Sequence, residues 1–574
     1  MPFVSVTMPR VMAARGMLYV AFFCGLLGCD DADNNRQGQV SVPVPSALFD
    51  GDIGEQFTVT ARIKIPQLGI DTTLGVEGDR ADGAFPELPP GQYTVSVTFE
   101  TDVPHVGIVV LAEASRDIDI TPGANTLTFY KSDYRYPDDD GDKYNNLVEV
   151  RFETNPSNGT SKPQTARVFI TSVEGTANLS SWPDAGGETG LAAGDAICQT
   201  RADAAGLGGQ FVAWLSDRNN DAYCRVHGLG GKVGDDCGQD TLPASAGPWV
   251  RVDGYPFASD IVELTRDSVI YTPLLLNEFE YDILRDEAAL GKSINIWTGT
   301  HAWGTWAESA ARQLPEPYQN VSWGDCDGWN SDNVDLPGVA KGAVWFTHQG
   351  WTDDGGAIID NGLKGKSCSE TGGLACFELG EGVPLPDFAE RGKRVFMTSV
   401  FGFGDLSSWP DAGGEQGISA GDAICRARAG DANLPNAEKF KVFLSDDTIN
   451  AIDRLVSDGP WVRVDGVPVA ETKEDLLLDV STWPIEGGTF ASISVDEKGE
   501  YLTADPDFIS VWTGTHSTLQ PASDNCLNWT SSDRETYGEF VSAWWSVQWL
   551  APPDPDSEKF RCDLPARLYC FEDE

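Results

Sequence analysis

Six residues in the segment DDDGDKYNNLVE are spaced to hold a hard cation. Asp138, Asp140, Asp142, Tyr144, Asn146 and Glu149 fall on its positions 1, 3, 5, 7, 9 and 12. Calcium loops take oxygen ligands from those positions, with a main-chain carbonyl at position 7 and a carboxylate closing the shell at position 12. Lys143 departs from the pattern at position 6, where glycine usually allows the sharp turn, and its charge lowers affinity. The competing reading is a solvated acidic linker. Only one such loop is present, so a calcium ion held there would be structural.

Little else in the chain points to metal or acid–base chemistry. There are five histidines and no CxxC spacing, which disfavours zinc. Paired carboxylates carry no signal among 88 acidic residues. His301 and His516 recur after WTG, yet no nucleophile or acid follows from their order, and polar contacts that fix the fold are the expected role. No catalytic residues are expected, and the chain reads as a non-enzyme.

With 40 basic residues against 88 acidic ones, the net charge is −48. Such a surface repels nucleic acid and heparin-like polyanions, because no basic patch is available to release counterions. An apolar content of 41% over 574 residues suffices for several packed cores.

Export is read from the N-terminus. Arg10 and Arg15 precede the apolar run GMLYVAFFCGLLG, which stops at Cys29 and Asp30. A run this short is a signal-peptide core, so residues 1–28 are expected to be removed. LLGC at 26–29 resembles the bacterial lipobox. That resemblance implies lipid on Cys29 and an anchor in the cell envelope, at the outer membrane or cell surface rather than the inner membrane. In an oxidising compartment the ten remaining cysteines read as disulfides.

Residues 29–40 are polar and read as a tether. Period-two apolar runs over 41–133, broken by LPPG and TPG turns, predict a β-sandwich. FPELPPGQYTVSV there resembles transthyretin-like and other Ig-like bacterial modules. Residues 134–160 hold the calcium-type loop, and the ETNPSNGTSKP that follows it resembles the tail of thrombospondin type 3 or dockerin-like calcium repeats.

The remainder is a duplication. LSSWPDAGGE occurs at 179–188 and again at 406–415, GDAIC at 194–198 and 421–425, GPWVRVDG at 247–254 and 459–466, and WTGTH at 297–301 and 512–516. The preserved order defines tandem domains at 165–378 and 392–574, joined by a linker at 379–391. In the first, a helix is expected from about Ala193 to Ala205, stopped by Gly206. In the second, Ser419 and Asp422 have capping-box spacing. FVAWLSD, WVRVDG, INIWTGT and ARLYCFE read as strands, giving α+β domains. The LSSWPDAGGE stretch reads as a scaffold loop in which Trp182 and Trp409 tuck against the domain, with contact to a ligand as the alternative.

GDAICQTRADAAGLGGQFVAWLSDR, a WTGT strand, CxxW and a closing CFE resemble endostatin and a bacterial lipoprotein family of unknown function (the DUF1554 type), both of the C-type-lectin-like fold. The resemblance implies nested disulfides, Cys198–Cys376 around Cys326–Cys368 and Cys425–Cys570 around Cys526–Cys562. Copy one keeps a spare pair, Cys224 and Cys237. A lectin-type calcium–sugar site is incomplete: Tyr318 follows Glu316–Pro317, Ala522 follows Gln520–Pro521, and WND is missing before Cys368 and Cys562. Endostatin's arginine clusters and zinc-binding histidines have no counterpart. Trp182, Trp249, Trp297 and Trp329, with Trp409, Trp461, Trp512 and Trp529, are expected in the cores, and Trp323, Trp351 and Trp544 at the surface. The expected function is non-catalytic binding or adhesion to an extracellular protein or glycan; a calcium-dependent lectin and an extracytoplasmic enzyme are the alternatives.

Overall fold

Strict alternation builds the N-terminal sheet. In Gly91–Val103, Tyr93, Val95, Val97, Phe99, Thr101 and Val103 face inward, and in Thr60–Ile65, Ala61, Ile63 and Ile65 do. The computed structural model describes residues 17–21, 37–43, 48, 58–77, 80–86, 89–120, 126–130, 134–142, 144–267, 269–284, 295–306, 325–333, 341–343, 358–359, 362–363, 367–380, 382, 385, 392–470, 472–479, 486–502, 510–516, 519, 521–543 and 560–573. Among them the fold is multidomain and sheet-rich, with few helices and five disulfides.

Seven antiparallel strands make the first sheet, in the order Gln37–Pro43, Arg80–Pro86, Ile70–Glu77, Thr60–Ile65, Gly91–Val103, Gly107–Ile120 and Tyr134–Arg135. Among the described residues this differs from two balanced layers of a sandwich: the other ladder of the region pairs two strands, Thr126–Tyr130 against Met17–Ala21 of the expected signal segment. Pairing also starts at Gln37, inside the expected tether. Cys29 lies outside the described residues, and among those described no helix is long and apolar enough to cross a membrane.

Each repeat is built around one mixed sheet. Copy one orders its strands Pro256–Ala258, Trp249–Arg251, Ala166–Ile170, Gly373–Glu378, Asn295–Trp297 and Lys341–Ala343, with Phe211–Ala213 also on Gly373–Glu378. Copy two repeats the order with Pro468–Ala470, Trp461–Arg463, Lys393–Met397, Arg567–Glu572, Ser510–Trp512 and Phe540–Ser542, and places Phe440–Val442 on Arg567–Glu572. First and last strands pair antiparallel in both, so each domain's ends meet.

One long helix packs on each sheet, Gly190–Ala205 and Gly417–Asp431. Close approach explains a glycine on the buried face of each: a Cβ on Gly194 would lie 2.7 Å from Leu215 Cδ1, and one on Gly421 2.6 Å from Val442 Cγ1. The first helix ends at left-handed Gly206, as its sequence predicts. The capping-box expectation fails in the second. Its N-cap is Gln416, Ser419 lies inside the helix, and Asp422 instead accepts from Val442 N and pairs with Arg454.

The disulfides join Cys198–Cys376, Cys326–Cys368, Cys224–Cys237, Cys425–Cys570 and Cys526–Cys562, the same pairs the sequence analysis names. The outer bond of each nest staples the helix to the last strand.

Candidate functional site

The acidic loop closes onto a short helix. Asn145 caps Asn146–Arg151 by accepting from Val148 N at 2.9 Å, and Glu149 lies in the helix's first turn. Asp138, Asp140 and Asp142 bring carboxylate oxygens within 4.8 Å of one another. One oxygen of each braces the turn: Asp138 accepts from Gly141 N, Asp140 from Asp142 N, and Asp142 from Tyr144 N.

The opposite oxygens are the informative ones. Asp140 Oδ2, Asp142 Oδ2 and Glu149 Oε2 are buried with no protein donor. Glu149 is fully buried; burial first, then the Asp140 and Asp142 charges, push its carboxyl up to about 8. Asp140 is raised by burial and by the Asp142 and Asp138 charges. Buried carboxylate oxygens without donors are costly unless a cation meets them, and an all-oxygen set suits calcium or another hard ion. Asp138, Asp140 and Asp142 therefore fit the implied group, whereas Glu149, the expected closing ligand, lies outside their 4.8 Å cluster and meets it through charge alone.

One expected ligand is engaged differently, and the side chain of another turns away from the loop. The Asn146 carboxamide is taken up by the fold, accepting from Asp139 N and donating to Val110 O. Tyr144 can contribute only its main-chain oxygen, because its side chain turns to copy one. The hydroxyl donates to Thr165 O at 3.1 Å, and the Arg167 guanidinium lies 4.8 Å from the ring centre. Lys143 lies outside the described residues.

The loop is also a joint. Leu147 and Val150 enter the core of the N-terminal sheet, as does Tyr255 of copy one. Arg151 lies over the Tyr255 ring, and Val148 packs so closely on Gly254 that a Cβ there would be 2.0 Å from Val148 Cγ2. One short helix thus carries a candidate ligand and touches both neighbouring domains.

In the repeats, the shared tryptophans are structural pins. All eight are buried, and equivalent indoles donate to equivalent carbonyls. Trp249 and Trp461 reach Glu378 O and Glu572 O, while Trp329 and Trp529 reach Ser216 O and Ser445 O. Trp182 and Trp409 tuck beneath Thr176 O and Phe403 O. Trp323, Trp351, Trp544, Glu316, Pro317, Tyr318 and Gln520 lie outside the described residues.

The LSSWPDAGGE loop folds as two short 3₁₀ turns, and its aspartate has a defined partner. Asp184 pairs with Arg201, which pairs with buried Glu278, and Glu278 accepts from Ser172 N and Oγ. Copy two repeats the chain with Asp411, Arg428, Glu497 and Ser399. Burial raises the Glu278 carboxyl, with Ser172 and Arg201 opposing. Sequence reading missed both glutamates; the available signal was the recurrence of NE and DE after an apolar run. His516 is half-buried, and burial lowers its imidazole against the pull of Asp524.

No protein-family model matches the chain, and no curated protein matches it.

Proposed function

We propose that this chain is a lipid-anchored envelope protein that displays two non-catalytic, lectin-fold binding domains on a stalk whose joint is set by calcium. The observation that carries this reading is the joint: three partnerless buried carboxylate oxygens at the point where one helix grips the N-terminal sheet and copy one. When bound, calcium would supply the missing positive charge and tie the loop to Glu149. Both repeats use their shared tryptophans and the shared Asp–Arg–Glu chain internally, which suits a presented scaffold rather than a reaction centre.

The test is a calcium titration of the full chain by calorimetry, repeated with Asp140→Asn/Asp142→Asn. Calcium should raise the melting temperature and protect the joint from trypsin, and the double variant should lose both effects. Absence of calcium uptake by the native chain would reject the joint. Cys29→Ser should abolish detergent-phase partitioning; persistence would reject the lipid anchor. An array of glycans and matrix proteins, with and without calcium, would separate a calcium-dependent lectin from a calcium-independent binder.

A further inference from the structure

Each repeat carries a pair of exposed aromatic rings at the same apex, but a different loop supplies them. The first apical loop follows the opening strand and reads EGTA at 174–177 in copy one and FGFG at 401–404 in copy two. The second is a tight hairpin, closed by Asn277 N to Tyr281 O in copy one and Asp496 N to Glu500 O in copy two. The buried glutamates hold the loops side by side, since Glu278 and Glu497, inside the hairpins, accept from Ser172 and Ser399 at the base of the first loops.

Copy one exposes its aromatics on the hairpin, with Phe279 at 42% and Tyr281 at 45% of their full exposure. Copy two has Lys498 and Glu500 there, and instead exposes Phe401 at 46% and Phe403 at 45% on the first loop, where copy one has Glu174 and Thr176. In both, a guanidinium backs one ring: Arg201 lies 5.8 Å from the centre of Phe279, and Arg567 lies 5.4 Å from that of Phe401. Exchanging the loop while keeping an exposed pair at one end of the domain is not what core packing requires, because neither pair is in the core.

We infer that this apex is the docking surface of each repeat, and that its occupant is a protein segment presenting lysine or arginine beside apolar side chains. The inference rests on the display reading above. Charge complementarity selects the occupant: a chain at net −48 repels a second copy and any polyanion and attracts a cationic segment. Aromatic faces bind cationic side chains and bury apolar ones, and such residues commonly dominate an interface.

The test is fluorescence anisotropy on the full chain, titrated into a labelled short peptide alternating lysine and leucine, at several salt concentrations. A glutamate–leucine peptide and chitohexaose serve as comparison probes. The native chain should bind two lysine–leucine peptides. Phe279→Ala/Tyr281→Ala and Phe401→Ala/Phe403→Ala should each leave one site, and the quadruple variant should weaken binding at least about tenfold with its net charge unchanged. All four side chains are exposed, so near-ultraviolet circular dichroism should stay native and certify folding. Equal binding by the quadruple variant would overturn the inference, because attraction would then be diffuse electrostatics. So would no binding by the native chain, or binding of chitohexaose that the quadruple variant loses, which would assign the apex to a glycan. Cleavage of a probe would instead overturn the display reading itself.

Discussion

The two repeats share a sheet order, a disulfide nest and a buried ion network, yet they secure the connection after their short helices, Ala222–Arg225 and Ala451–Arg454, differently. From Arg225 to Gly247 copy one runs 22 positions, whereas copy two needs 5 from Arg454 to Gly459. Copy one staples its long excursion with Cys224–Cys237. Copy two has Asp453 where Cys224 stands, and pins its short turn through Asp573, which accepts from Lys441, Val456 N and Ser457 N. Copy one has Leu379 at that C-terminal position, packed on its core. A long insertion carries a large loop entropy and calls for a covalent anchor; a short turn is held by one well-placed carboxylate.

The largest expected effect tests what the copies share. Glu278→Ala and Glu497→Ala each leave a serine N–H and hydroxyl without their acceptor and take one of two carboxylates from a partly buried arginine, and should each cost about 3–5 kcal/mol, read by calorimetry as a fall in the corresponding domain transition. Similar losses would support one scaffold; tolerance in one copy alone would show that the networks have diverged in role. Next comes the staple. Cys224→Ser/Cys237→Ser should cost about 3 kcal/mol and move only the copy one transition. A matching shift in copy two would show that the domains unfold together.

Asp573→Asn probes the other anchor and should cost about 1.5–3 kcal/mol at neutral pH. Burial opposes ionisation of Asp573, but Lys441 and the two main-chain amides outweigh it and hold the carboxyl well below the usual range. A depressed acid stabilises the fold fully above the unfolded carboxylate pKa of about 3.9 and loses that contribution as pH falls through the folded value. The gap between native and Asp573→Asn melting temperatures should therefore close on acidification below about pH 4 and stay open from there to neutrality. A gap constant down to strongly acid pH would remove the carboxylate's charge from the explanation.

Much of this scaffold was legible because duplication exposes it. Paired tryptophans, strands and cysteines recur at matched places, and a residue repeated with its neighbours reads as packing. The glutamate network was not legible. Glu278 lies 19 positions before Trp297 and Glu497 only 15 before Trp512, so the register between copies is broken there. The aromatic apices were hidden for a related reason: an exchange between loops leaves no repeated letter to find. Ser419 misled because capping chemistry is local, whereas the helix start is fixed by a turn two residues earlier, where the left-handed Gly417 meets Asn528 O. In the acidic loop, spacing located the carboxylates, but it could not show that the fold takes the Asn146 amide for Val110 O.

The smallest effect separates the two roles of Tyr144, and it again contrasts the copies. Arg167 forms a forked pair with Glu378 and carries the Tyr144 ring on its face. The equivalent Arg394 sends its main-chain N–H to Glu572 and is lowered by burial. Tyr144→Phe keeps the ring over Arg167 and removes only the hydroxyl bond to Thr165 O, so copy one should lose about 0.5–1.5 kcal/mol while copy two is unmoved. Calcium uptake by calorimetry should be unchanged, because under the proposed function the ion would take the main-chain oxygen at this position. Weakened uptake would mean that docking on copy one is what shapes the loop, and that joint and metal site form one element.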